Sequence, residues 1–275
     1  MRIVKQATAR HQPDSRWTFE DSPAHHAGQQ RLASLVGVVA LALPVLLWAS
    51  STCFRASLSS YYFASLSGDL FVAGLAVIAT CLLAFAGDTR GEFWLTTGAA
   101  VAAMAVALIP TANPGCALGP GYQGRFSAKL AEADGVVMIE ARSPVEDYFA
   151  PFREMAVLHD LAAVSLLGFL AYLCLFVFTR RIERLHVRPD GRATRAKRRR
   201  DLVYRWSGGV IALCIGLMVV GGWLRHRAAP GASWWDAWHL TFWVESVALW
   251  AFGVAWIVKG RLFGLALRDP GEATS

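Results

Sequence analysis

The sequence predicts an all-α integral membrane protein, a bundle of six transmembrane helices with both termini in the cytoplasm. Three observations carry that prediction: composition, six long apolar runs, and an uneven distribution of basic residues. Of the 275 residues, 55% are hydrophobic and only 17% charged, and the mean hydropathy is +0.39. A soluble domain carries about 25% charged residues. A chain this poor in charge cannot cover a water-facing globule.

The apolar runs are 32–50, 70–87, 93–110, 161–178, 206–224 and 240–258. Each is long enough to cross about 30 Å of hydrocarbon. A backbone in lipid must satisfy its own hydrogen bonds, so such runs are helices. The fourth helix is expected to begin earlier, near Met155, drawing His159 and Asp160 into its first turns. Pro44 lies inside the first run and predicts a kink, because proline lacks the ladder donor. Two stripes of small residues, Asp69/Ala73/Ala76/Thr80 and Gly98/Ala102/Ala105, mark the faces of helices two and three expected to pack closely.

Charge sets the expected orientation. Of the 27 Lys and Arg residues, 20 fall on the side holding both termini and the 180–205 connection, and 7 on the other. Positive residues are retained in the cytoplasm. The net charge of +7 is therefore a topology signal rather than a nucleic-acid footprint, and no nucleic-acid motif accompanies it. Lys197-Arg-Arg-Arg200, in the basic 180–205 loop, is placed to meet anionic headgroups or to serve only as an anchor. The expected organisation is a mostly disordered cytoplasmic tail over 1–31, which lacks a signal-peptide pattern, a membrane domain over 32–260, and a tail over 261–275. An inner-membrane location in a bacterium follows.

Two external segments gather the polar residues. The first, Arg55-Ala-Ser-Leu-Ser-Ser-Tyr-Tyr-Phe-Ala-Ser-Leu-Ser-Gly-Asp69, links helices one and two. The second, 111–154, is expected to form a small extracytoplasmic cap between helices three and four, with a short strand at Gly135–Glu140. Cys53 and Cys116 are the only cysteines outside the spans, and an oxidising compartment would let them pair. Free thiols at the membrane edge are the alternative.

Ionisable residues near helix ends are the sharper signal, since each is costly in hydrocarbon. Asp69, His159, Asp160, Asp236, His239 and Glu245 all project to the outer leaflet in the expected topology. Arg55, Ser57, Tyr61, Tyr62, His159, His239 and Glu245 then outline a candidate outer-leaflet binding pocket. Each residue also has a plainer explanation. Asp69 suits a helix cap, His159 an interhelical hydrogen bond, and His239 an aromatic interfacial belt. Glu245 is the hardest to explain so, and protonation, or pairing with His159 or Arg55, would relieve its cost.

Several of these elements resemble a group of bacterial multi-pass membrane proteins of unassigned activity. The resemblance rests on Arg55-Ala-Ser-Leu-Ser-Ser-Tyr-Tyr62, Asp69-Leu-Phe-Val-Ala-Gly74, Ala107-Leu-Ile-Pro-Thr111, His159, and the helix from Trp243 to Gly260. It implies a shared six-helix fold and brings no activity with it. The helical plan is more distantly similar to DRAM/Sfk-type membrane proteins.

Three functions fit these residues. The first is a non-enzymatic role in lipid binding, sensing or as an accessory component. The second is a membrane-embedded hydrolase of a lipid or acylated substrate. There His159, His239 and Asp69 or Glu245 would hold zinc, or Ser59 or Ser60 would be a nucleophile activated by His159. Membrane ceramidases and adiponectin-receptor-like proteins use such sets, but this chain has six spans and no His-x-x-x-His in its last helix. The third is a proton-coupled carrier relaying through Glu245 and His159.

Overall fold

The computed structural model describes residues 23–51, 53–85, 90–111, 129–133, 136–140, 155–180, 194–227 and 234–262. Six helices are long and apolar enough to span a membrane. They are α1 (Pro23–Ala49), α2 (Ser65–Ala84), α3 (Arg90–Leu108), α4 (Met155–Tyr172), α5 (Arg195–Arg227) and α6 (Leu240–Lys259). A π-helical turn, Leu173–Val177, extends α4, and a short helix, Trp234–Ala237, precedes α6. Between α3 and α4 lies an antiparallel hairpin, β1 (Lys129–Ala133) with β2 (Val136–Glu140), in which Lys129 faces Glu140 in register. The expected strand over 135–140 is thus present with a partner; the rest of segment 111–154 lies outside the described residues.

Each long helix packs on its neighbours in sequence, and α6 closes back onto α1, so the order around the bundle is α1-α2-α3-α4-α5-α6. Large apolar side chains point outward from every part of it: Val101 and Leu213 are each 63% exposed and Leu161 58%. Water would not tolerate that surface at such density, whereas hydrocarbon is its natural solvent. The interior is filled by Leu47, Ile78, Leu82, Leu170, Ile211, Phe252 and Trp256. Trp256 sits centrally near one end, its ring 5.2 Å from Phe85 and 5.6 Å from Phe178.

Helix boundaries depart from the hydropathy runs where polar residues continue a helix. α1 begins at Pro23, so residues 23–31 belong to the helix rather than to a tail, and α1 runs through Pro44 as one element. α5 begins at Arg195, eleven residues ahead of its apolar run, so the second half of the expected basic loop is helical. At 33 residues, α5 is about 50 Å long, well beyond about 30 Å of hydrocarbon. Its basic turns extend past the apolar part.

Helices α1 and α6 approach each other closely. A Cβ on Gly37 would stand 2.7 Å from the Ile257 nitrogen, and one on Gly253 would stand 2.8 Å from Leu41 Cγ and 3.0 Å from the Gly37 carbonyl oxygen. The Trp250 indole donates to Leu41 O at 3.0 Å and Ser34 Oγ to Gly260 O at 3.2 Å, so hydrogen bonds flank the glycine contact. This corrects the small-residue stripe expected on α2. Asp69, Ala73 and Thr80 are exposed, while Leu75, Ile78, Ala79 and Leu82 form the buried face. On α3, Ala102 is buried and a Cβ on Gly98 would lie 3.0 Å from Phe169 of α4, so the second stripe does face a neighbour.

Candidate functional site

The connection from α1 to α2 folds into the bundle instead of lying on it. Arg55 is 2% exposed, and Ser57, Ser59, Ser60, Tyr61, Tyr62 and Phe63 are all buried, the last five in one 3₁₀ turn (Ser59–Phe63). A buried polar loop must satisfy its own groups, and this one does so locally. Ser57 Oγ lies 2.7 Å from Ser60 Oγ and 3.1 Å from Ser59 Oγ, and accepts the Ser60 N–H at 3.1 Å. The Arg55 guanidinium donates to Ser60 O at 3.3 Å, and the Arg55 N–H reaches the Tyr61 hydroxyl at 3.5 Å. Burial pushes the Tyr61 phenol above its ordinary value, while the Arg55 hydrogen bond and charge pull the other way. Its hydroxyl is therefore a neutral phenol at physiological pH.

The loop is tied to α6 by two reciprocal bonds. The Leu58 N–H donates to Glu245 Oε2 at 2.7 Å. The Phe242 N–H, in the first turn of α6, donates to Ala56 O at 3.0 Å. A helix start leaves its first N–H groups unsatisfied, and α6 has no side-chain cap, its cap residue His239 being in the left-handed region at φ 50°. The loop backbone supplies an acceptor there, and Glu245 in turn supplies one to the loop. This is the work of a capping box, carried out between segments 187 residues apart. Phe54 fixes the junction from outside, its ring 4.8 Å from His239 and 4.7 Å from Phe242.

Arg55, Ser57, Ser59, Ser60, Tyr61, His239 and Glu245 are therefore gathered at one junction, with Tyr62 in the same buried turn. His159 is not bonded into it. Its Nδ1 lies 2.6 Å from Ile109 O, joining α4 to the end of α3 across the bundle from α6, with the residue 2% exposed. Nδ1 thus carries the proton, and the imidazole works as an interhelical tie. Asp69 does not cap α2, which begins four residues earlier with Ala64 at the cap position; Asp69 is exposed. Nor do His159, His239 and Asp69 assemble a zinc site: among the described residues, no three His, Cys, Asp or Glu side chains converge. Asp160 is exposed on α4, and Asp236 lies in the short helix before α6.

Cys53, at the entry to this loop, is disulfide-bonded, whereas Cys81, Cys174 and Cys214 are free and buried. Cys116 lies outside the described residues. We expect Cys116→Ser to release a Cys53 thiol to a maleimide reagent without reductant. Absence of new labelling in the denatured, unreduced variant would contradict the pairing.

A second polar cluster lies at the opposite end, where sequence reading placed only loops and tails. Glu92, Lys197 and Arg200 are 3%, 2% and 3% exposed. Lys197 Nζ contacts Asp201 Oδ1 at 2.8 Å and donates to Phe178 O at 2.8 Å, satisfying the carbonyl that ends the π-helical turn. Lys259 Nζ is 3.6 Å from Glu92 and sits 5.1 Å over the Phe178 ring and 5.5 Å over Phe85. The signal was available: Lys197, Arg200, Tyr204, Ser207, Ile211 and Cys214 are all buried at helical spacing, so the inward stripe of α5 continues unbroken into its basic turns.

No family model matches this chain, and neither the curated proteins nor the solved structures contain a match to it.

Proposed function

We propose that this chain is a non-enzymatic multi-pass protein of a bacterial inner membrane, acting in lipid binding, sensing or as an accessory component. One observation carries the reading: the loop serines are bonded to one another, and Glu245 of α6 is bonded to the loop backbone. Ser57, Ser59 and Ser60 share their hydroxyls, and Glu245 holds the Leu58 N–H. No imidazole is seen bonded to a serine hydroxyl among the described residues, and a serine nucleophile needs an adjacent base. The loop is then an extracytoplasmic plug, with both termini on the cytoplasmic side as the charge asymmetry favours. Arg198 and Arg199, exposed on α5, are the residues that meet anionic headgroups.

The test is complementation of a deletion strain. Ser59→Ala, Ser60→Ala and His159→Ala variants that accumulate at normal levels are expected to restore the phenotype. A normally accumulated variant that fails through loss of a single hydroxyl or imidazole would favour the hydrolase instead.

A further inference from the structure

We propose that α5 senses anionic phospholipid: headgroup phosphates dock on its outward face at Arg198, Arg199 and Arg205, beside Leu202 and Trp206, and docking there tightens the clasp that the same turns make on the end of α4. This surface deepens the lipid-binding reading, on which it rests, by naming the lipid class and the residues. The two sides of these turns are sharply divided. Lys197, Arg200 and Tyr204 are buried, whereas Arg198, Arg199, Leu202, Arg205 and Trp206 are exposed, Leu202 by 58% and Trp206 by 69%. Steps of one, three, three and one residue keep the five on one side of a helix with 3.6 residues per turn. Among the described residues, none of the three arginines is held in an ion pair.

Continuity along that face selects lipid as the occupant. Beyond Trp206 the same stripe runs on through Gly209, Leu213 and Val220, all exposed, in the part of α5 apolar enough to span a membrane. One helix face thus passes from aliphatic side chains through a tryptophan to arginines. A leaflet runs in the same order, from acyl chains through the interface to the phosphates. Arg198 stands eight residues from Trp206, about 12 Å along the helix. The headgroup layer adds about 5–8 Å beyond the hydrocarbon, and an arginine stem bends back to reach it. Each guanidinium fork matches a phosphate in two parallel bonds.

The inward side of the same turns holds α4. Lys197 Nζ donates to Phe178 O at 2.8 Å and contacts Asp201 at 2.8 Å, and the Tyr204 ring lies 5.3 Å from that of Phe178. Thr194 Oγ1 accepts the Lys197 N–H at 3.1 Å, which fixes the start of the helix. The outward stripe exists only while these turns are helical, and so does the clasp. A ligand that binds the helical state alone stabilises whatever depends on it. Lipid held outside therefore reduces local opening inside.

The experiment uses the full-length protein in phosphatidylcholine nanodiscs containing increasing phosphatidylglycerol, which enters both leaflets and makes the result independent of sidedness. Hydrogen–deuterium exchange of peptides covering 173–180 and 194–206, with native mass spectrometry of retained lipid, gives the readouts. We expect phosphatidylglycerol to slow exchange saturably in both peptides and to remain bound. Arg198→Gln, Arg199→Gln and Arg205→Gln should each lower the apparent affinity about fivefold, the worth of one basic residue near an anionic surface. These side chains are exposed, so the variants should fold. Arg31→Gln, which removes an exposed cation from α1 at the same end of the bundle, should leave the response unchanged. Exchange indifferent to phosphatidylglycerol overturns the proposal, as does slowing of 194–206 alone or an equal loss in Arg31→Gln. A full lipid response together with failed complementation by Ser59→Ala counts against the non-enzymatic reading alone.

Discussion

Glu245→Leu is expected to destabilise the protein by about 2–3 kcal/mol, the cost of removing a charged acceptor from a buried donor. The stranded group is the Leu58 N–H, which donates to Glu245 Oε2 at 2.7 Å. The loss should spread further, because the same junction caps α6 through the Phe242 N–H and Ala56 O. Glu245→Gln keeps an acceptor oxygen at the same place and should cost about 1 kcal/mol, the worth of exchanging a charged bond for a neutral one. Thermal unfolding in nanodiscs reads the order Leu below Gln below the unaltered protein. Equal melting of all three would mean that Glu245 does not support the loop.

Gly253→Leu should be strongly damaging in the α1–α6 interface. Its first added carbon already meets Leu41 Cγ at 2.8 Å and the Gly37 carbonyl at 3.0 Å, and backbone cannot move aside as a side chain can. Overpacking typically costs about 1–3 kcal/mol, and a clash against backbone belongs at or above the top of that range. Gly209 on α5 has nothing within 4 Å of an added Cβ, so Gly209→Ala should leave the melting temperature within a degree or two. Expression and monodispersity by size-exclusion chromatography separate the two. A well-behaved Gly253→Leu would show that the α1–α6 contact is looser than described.

Much of the architecture was legible because hydrocarbon imposes long apolar runs, and all six appear as helices. Their ends were not, since helices continue where hydropathy stops. Arg195–Arg205 looked like a loop because six of its residues are basic, yet the inward stripe at Lys197, Arg200 and Tyr204 keeps helical spacing. The small-residue stripe on α2 misled for a related reason: alanine recurs on every face of these helices, so its spacing alone selects none. The glycines at 37 and 253, far apart in sequence, form the real close contact.

The site was partly legible. Arg55, the serines and Glu245 stood out because buried polar groups are costly, and they do assemble. Shared depth in the membrane could not show which side of the bundle each residue occupies. His159 lies at the same end as Glu245, but it serves the α3–α4 contact through Ile109. Asp69 was misread because α2 begins at Ser65 with Ala64 at the cap position, a residue type that gives no cap signal in sequence. Glu245 lacked a partner in local sequence because its acceptor role is to a backbone N–H 187 residues away.

The central claim is that segment 55–64 is a buried plug held by α6. Hydrogen–deuterium exchange of peptides covering that segment, in lipid nanodiscs, tests it most directly. The bonded Leu58, Ser60 and Tyr61 amides should exchange slowly in the unaltered protein and markedly faster in Glu245→Leu, while peptides from α3 are unchanged. Exchange of 55–64 at the rate of an unstructured peptide in the unaltered protein would contradict the account.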